Sequence, residues 1–351
     1  MKPRIAITHG EPAGIGPELV AKLLSEADLR DQADVVLIGD QHVFELGQKH
    51  AGTNWKMQKV DPKQPQDWWI GDEFPWLPMK TILPEEVHIA EISEAGGRSS
   101  LRGLDCAIDL TTRGISDAIL FGPFNKASLH LGGMDVEDEH RYIAKYLGFK
   151  GYHSEINMLD ELITTRVTSH IALKEVAESI NQEKVIDAIH LANDTLKSTG
   201  MVRPRIGVAA LNPHAGDAGN FGTEELDILE PAVKRASQLK IDVNGPWPSD
   251  TVFLRARDGL LDAVVTMYHD QGQIAMKLMG FERGVTIAAG LPIAVATPAH
   301  GTAFDIAGKG VANLGAMRKA FDVLCRMAPN FRAKKKQFSK LTTFSARGNL
   351  F

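Results

Sequence analysis

"RIAITHGEPAGIGPELVAKLL", residues 4–24, runs from an apolar strand through a loop with three glycines and two prolines into a helical pattern. The glycines fall at Gly10, Gly14 and Gly16, a spacing that fits neither G-x-G-x-x-G nor G-x-x-x-x-G-K-[ST]. Pro17 suits a first helical turn, where its missing N–H would have had no partner. The stretch therefore reads as a tight strand-to-helix turn rather than a phosphate cradle. The same alternation recurs in "DVVLIGD" before "QHVFELGQKH", "DAILFGP" before "NKASLHL", "RIGVAAL" before "TEELDILEPAVKRASQL" and "DAVVTMY" before "QGQIAMKLM". Such a pattern predicts an α/β fold, a mainly parallel sheet with helices on both faces.

With 351 residues, 44% of them apolar and 24% charged, the chain can bury one large core or two medium ones. A net charge of -5 makes nucleic acid and anionic membrane poor partners. Two cysteines, Cys106 and Cys325, cannot build a disulfide framework and fit a reducing compartment. Without an apolar signal core or a run of membrane-spanning length, a cytoplasmic location is expected. Two stretches break the rhythm. Residues 61–85 carry five prolines and three tryptophans and read as a surface excursion pinned to the body by its indoles. The basic end, from about residue 329, reads as a loosely ordered tail.

Three of the 12 histidines share a placement. His170 follows "TTRVTS", His214 follows "RIGVAALNP" and His269 follows "DAVVTMY", each just past the carboxyl end of an expected strand. Open α/β sheets bind ligands outside those ends. If the strands are neighbours, or if two subunits meet there, the imidazoles can converge on one metal and leave positions open for substrate. Imidazole suits zinc, cobalt, nickel or iron. Asp250, Asp270 and Lys277 accompany them. Asp270 either orients a ligand or begins the next helix. Lys277 either carries protons or is a solvated helix lysine.

"ITHGEPAGIGPE", "GPFNKASLHLGG", "LNPHAGDAGNFGTEE", "NGPWPSDTVF", "MYHDQGQIAMKLMGFERGV" and "HGTAFDIAGKG", in this order, closely resemble the 4-hydroxythreonine-4-phosphate dehydrogenase family of vitamin B6 biosynthesis. The likeness extends to about residue 328. It implies two α/β/α domains with an interdomain cleft, like isocitrate and isopropylmalate dehydrogenases, and an obligate homodimer whose active site is shared between subunits. The domains would be residues 1–128 with 300–351 on the cofactor side, and 129–299 for substrate, metal and dimer. His170, His214 and His269 would bind the divalent metal, one of them supplied by the partner; zinc is expected first, with cobalt, nickel or magnesium as alternatives. "HGTAFDIAGKGVAN" is similar to the adenosine loop of isopropylmalate dehydrogenases, which implies NAD or NADP contacts from His300, Gly301, Ala303, Asp305 and Asn313. The family oxidises a secondary alcohol β to a carboxylate, and the β-keto acid then loses carbon dioxide. Lys277 would lead proton transfer, supported by Asp250 and Asp270.

The chain departs from the family where substrate is held. Its usual "GHTE" is replaced within "MDVEDEHRYIAKY", so that Glu139, His140 and Arg141, beside Lys126, become the substrate-binding candidates. Thr286 and Val295 stand where the family uses an asparagine and an arginine. A phosphate needs donors and cations, which valine lacks. The expected substrate is therefore a small non-phosphorylated carboxylated diol, such as the aromatic cis-dihydrodiol oxidised by terephthalate dihydrodiol dehydrogenases, with Arg141 available for a distal carboxylate. The alternatives are 4-hydroxythreonine-4-phosphate itself, or a catalytically inactive metal-binding relative.

Overall fold

The opening stretch forms strand β1 (Arg4–Thr8) and a helix over Gly16–Leu24, joined by the glycine loop. In this computed structural model, which describes residues 2–160 and 162–338, β1 lies between β2 (Asp34–Gly39) and β5 (Ala118–Phe121). Outward from β2 come β4 (Phe74–Pro78) and then β3 (Met57–Lys59); beyond β5 comes β12 (Ala294–Pro298). Every pairing in this set is parallel. These strands belong to one compact unit, made of the described residues up to Lys150 and from Leu291 onward. Ile5, Ile7, Leu37, Ile38, Ile119 and Leu120 are fully buried, as expected of strands covered by helices on both faces. The chain leaves β1 toward β2 on one side and returns in β5 on the other, so the β1 and β5 exits form the switch point at which such sheets bind ligands.

The second unit, Gly151–Gly290, is one continuous segment. Its strands are β6 (Ser154–Leu159), β7 (Leu162–Arg166), β8 (Arg205–Ala209), β9 (Asp242–Trp247), β10 (Ala263–Thr266) and β11 (Val285–Ala289), in the order β11-β6-β7-β10-β8-β9. β7, β10, β8 and β9 run parallel, while β6 pairs antiparallel with both β7 and β11. The expected α/β class is therefore found, with an antiparallel margin added. Leu159, Leu162, Val252, Phe253, Leu261, Val264 and Met276 form a core between this sheet and its helices.

Two sequence readings are corrected. Residues 61–85 are not only an excursion, because they contain β4, which is paired on both sides. Pro75 and Pro78 hid it, since proline is scarce in paired strands. The tryptophans do pin the region: Trp68 donates to Asp61 O at 2.7 Å and Trp76 to Gly39 O at 2.8 Å. The end of the chain continues as helix Gly315–Phe338, and Arg332 bonds Asp117 through Nε at 2.8 Å. The rest of the expected tail, 339–351, lies outside the described residues. Among the described residues no helix is long and apolar enough to cross a membrane.

Candidate functional site

The strand exits of the second unit carry the three histidines. β10 pairs with β7 on one side and β8 on the other, so His170, His214 and His269 follow three adjacent strands. The β7 and β10 exits stay zipped past the strands: Val167 N donates to Thr266 O at 2.8 Å, and Thr168 N and Oγ1 donate to Met267 O at 3.0 and 2.7 Å. This register brings the His170 and His269 rings to 5.6 Å between centroids. Imidazole nitrogens bind zinc at about 2.0–2.1 Å, which puts two ligating rings roughly 5–6 Å apart, so the pair fits a shared metal. His269 Nδ1 lies 2.7 Å from Asp270 Oδ1, a carboxylate partner that leaves Nε2 for a ligand. Asp270 also occupies the first turn of helix His269–Leu278, and Lys277 is exposed in its last turn. Asp250 is exposed in the first turn of helix Ser249–Arg257, after β9. No three histidines with ligand atoms within 4.8 Å of one another occur among the described residues of one chain.

His214 sits on an unusual backbone. Residues 214–218 run left-handed, with φ between 44° and 78°, and only Gly216 among them lacks a Cβ. Each L-residue in that conformation costs roughly 1–2 kcal/mol, so the turn must be held from outside. Glu225 does this. Its buried carboxylate accepts from Leu211 N at 2.9 Å, Asn212 N at 2.8 Å and Asn212 Nδ2 at 2.9 Å. The turn closes on itself through Asn220 N to Asp217 O and Phe221 N to Gly216 O, and the His214 ring lies 6.2 Å from that of Phe221. Glu225 opens a π-helical turn, Glu225–Leu229, a feature frequent at functional sites. Sequence reading passed over Glu225 because nothing distinguishes it from its neighbour Glu224.

In the first unit, the glycines of the opening loop are explained by packing. A Cβ on Gly10 would fall closer than 3.0 Å to the Gly122 backbone, one on Gly16 equally close to His9 O, and one on Gly14 against Thr302. Gly10 also has φ +76°. This loop is a floor for the 300–313 loop: Ile15 N donates to Thr302 O at 3.1 Å. The next helix extends that floor. Buried Glu18 accepts from Ala312 N at 2.8 Å and pairs with Lys22 at 2.8 Å, while Lys22 Nζ donates to Gly310 O at 3.0 Å and Ala312 O at 2.8 Å. Above the floor Asp305 and Asn313 are exposed, Ala303 has φ 43°, and His300 Nδ1 lies 3.1 Å from Gly301 O. A Cβ on Gly301 would meet nothing within 4 Å, so the protein's own packing does not require that glycine. The backbone at Gly301 therefore faces open space.

Glu11 and His9 were also missed. Glu11 is fully buried, its Oε1 takes Ala13 N at 3.3 Å, and burial pushes its pKa up to about 7. Burial lowers His9 to about 4, against a hydrogen bond with Gly10 O.

The substrate candidates lie on several elements. Lys126 opens the short helix Lys126–Leu131, capped by Asn125. Glu139, His140 and Arg141 open helix Glu139–Tyr146, capped by Asp138; His140 is buried. Arg141 reaches Glu137 at 2.7 Å and Asp138 at 2.6 Å, so its charge is already answered by two carboxylates. That weakens its expected role at a distal substrate carboxylate. In the second unit, Thr286 lies on β11 with Oγ1 3.4 Å from Asn157 Oδ1. Val295 is buried on β12, its Cα paired with that of Ile119.

A parallel-sheet fold with imidazoles at adjacent strand exits fits the class of α/β oxidoreductases acting on a hydroxyl group. The family described as "Pyridoxal phosphate biosynthetic protein PdxA" matches residues 31–324, and the chain belongs to it. A Pseudomonas aeruginosa protein provisionally named 4-hydroxythreonine-4-phosphate dehydrogenase 2 is 52% identical over 328 residues, 93% of this chain and 97% of that one. The D-threonate 4-phosphate dehydrogenase of Salmonella typhimurium is 37% identical, covering 92% of this chain and 98% of its own. The crystal structure of 4-hydroxythreonine-4-phosphate dehydrogenase from Klebsiella pneumoniae is similar, with TM-score 0.80 and 33% identity over 93% of this chain and 98% of that one. A terephthalate 1,2-cis-dihydrodiol dehydrogenase from Burkholderia xenovorans, at 24% identity and TM-score 0.66 over 93% and 98% of the two chains, shares the fold. Sequence kinship therefore favours the phosphorylated-substrate alternative over the dihydrodiol reading.

Proposed function

We propose that this chain oxidises a secondary alcohol β to a carboxylate on a small phosphorylated substrate of the hydroxythreonine or threonate type. Hydride passes to NAD or NADP, the β-keto acid product loses carbon dioxide, and His170, His214 and His269 hold a divalent metal, zinc first. The observation that carries this reading is the His170–His269 pair, 5.6 Å apart on zipped strand exits, in a chain whose relatives are named as dehydrogenases of phosphorylated compounds.

The metal would lower the alcohol's pKa and the nicotinamide would accept hydride. The protein's own groups do the rest. Asp270 fixes the tautomer of His269 by holding Nδ1, so that Nε2 is the donor. Lys277 Nζ takes up and returns the proton of the alcohol, and Asp250 lends negative charge at the β9 exit. Asp305 accepts from ribose hydroxyls, Asn313 meets the base, and Gly301 lets the backbone approach. Lys126 supplies a cation for an anionic substrate group. The third imidazole is assigned to a homodimer, a reading supported by Phe221, Ile274 and Leu278, which are 52%, 60% and 83% exposed on the histidine-bearing segments.

Steady-state NAD(P) reduction with 4-hydroxythreonine 4-phosphate, D-threonate 4-phosphate and the terephthalate cis-dihydrodiol tests the substrate class. One of the phosphorylated compounds is expected to lead in kcat/KM by at least about tenfold, equivalent to 1.4 kcal/mol. Preference for the dihydrodiol would return the substrate to the carboxylated diols. His214→Ala should sharply lower metal content, and an unchanged content would count against the ligand assignment.

A further inference from the structure

We propose that Gln271 is a positioning residue that locks together the exits of β10, β8 and β9, which lead to His269, His214 and Asp250; the inference rests on the metal reading above and extends it to a residue with no ligand role. One amide touches all three exits. Gln271 Oε1 accepts from Met267 N at 2.7 Å, at the end of β10 and two residues before His269. Its Nε2 donates to Ala210 O at 2.8 Å, at the end of β8 and four residues before His214. The same nitrogen donates to Ser249 Oγ at 2.9 Å, next to Asp250 after β9. Ser249 Oγ in turn donates to Ala210 O at 2.7 Å, which closes a ring of three hydrogen bonds.

The chemistry of the partners fixes the amide's orientation. Met267 N can only donate and Ala210 O can only accept, so one end of the side chain must be an oxygen and the other an N–H. No other side chain of this length supplies both. Glutamate would set a carboxylate against the Ala210 carbonyl, and methionine would fill the space while leaving the Met267 donor without its partner and Ala210 O with Ser249 alone. The strand ladder between β10 and β8 ends at Val265 and Val208, so beyond those residues Gln271 substitutes for the missing backbone bonds. Distances among metal ligands tolerate only a few tenths of an ångström, so a loosened exit loses affinity without loss of fold.

The test compares Gln271→Met, Gln271→Glu and Ser249→Ala with wild type, and uses Ile189→Val as a core control for generic destabilisation. Two readouts are taken: hydrogen exchange in the metal-free protein, and Co(II) titration followed by visible absorption. Gln271→Met is expected to keep the far-UV circular dichroism of wild type, to exchange the Met267 amide at least tenfold faster, and to weaken Co(II) binding at least tenfold. Ser249→Ala should fall between it and wild type, and Ile189→Val should change neither readout. Wild-type exchange at Met267 in both Gln271 variants would overturn the positioning role, as would Co(II) affinity equal to wild type. If wild type itself binds no Co(II), the metal reading falls, and the exchange data alone then decide for or against Gln271.

Discussion

Two strand-exit loops, residues 9–16 in the first unit and 210–222 in the second, solve opposite problems. The first is rich in glycine because backbones cross there: Gly10 against Gly122, Gly16 against His9, Gly14 against Thr302. The second carries the strained conformation, yet four of its five left-handed residues have a Cβ. In the first loop, glycine removes the steric cost at its source. In the second, the cost remains and is offset by Glu225 and by closure of the turn. A loop whose residues serve only packing can be made of glycine, whereas one that must present a histidine needs an external clamp.

The sharpest way to break this contrast is Gly10→Ala. Adding a left-handed penalty to an overpacked crossing should cost about 4 kcal/mol in urea unfolding. A loss below 1 kcal/mol would mean the loop has room that the structure denies it. Glu225→Ala comes next, at about 3 kcal/mol, because the Leu211 and Asn212 donors lose a buried acceptor. Glu225→Gln, which still accepts through one oxygen, should lose less than half of that. Equal losses for the two would show that the carboxylate's bonds to the turn are not what matters.

Glu11 offers a test by pH. Its folded pKa, about 7, lies above its ordinary value of 4.5, so the native state binds the extra proton between those limits. Its contribution to stability is therefore greatest at low pH and declines as pH rises from about 4.5 to 7, by about 3 kcal/mol in all. His9, lowered from 6.5 to about 4, works the other way: its contribution is present above 6.5 and is lost as pH falls toward 4. The two oppose one another below pH 6.5, so the part of the Glu11 decline free of His9 is its last stretch, from pH 6.5 to a little above 7. Glu11→Gln should flatten unfolding free energy across that range, and an unchanged slope would remove Glu11 as its source. The smallest expected effect is that of Gly301→Ala. Stability should change by no more than about 0.5 kcal/mol, as for surface sites generally, while KM for the nicotinamide cofactor rises several-fold. A large stability loss there would make Gly301 a packing glycine like Gly10.

Much of the architecture was legible because period and punctuation are local signals. The strand-helix alternation and the strand-exit position of the histidines can be read in windows of ten residues, and β7, β10 and β8 proved to be adjacent. What escaped depended on partners far away in the chain. β4 was concealed because Pro75 and Pro78 argue against a paired strand until its neighbours are known. Glu18 looks like an ordinary first-turn acid, yet it bonds Ala312, 294 positions later. Gln271 and Glu225 lie within family-like stretches but have no distinguishing residue type, and burial and hydrogen-bond geometry single them out. Arg141 shows the converse: sequence offered a spare cation, and the fold pairs it with Glu137 and Asp138.

The place of β12 beside β5 sets an order of events during synthesis. Strands β6 to β11 come from one uninterrupted segment, so the strands of the second unit are all made once Gly290 has been added. The sheet around β1 must wait for residues after 290 to supply its last strand, and Glu18 and Lys22 wait longer still for 310–312. Residues made first are thus completed last. Until β12 arrives, the β5 edge lacks its neighbour, and an unfilled strand edge invites misassembly.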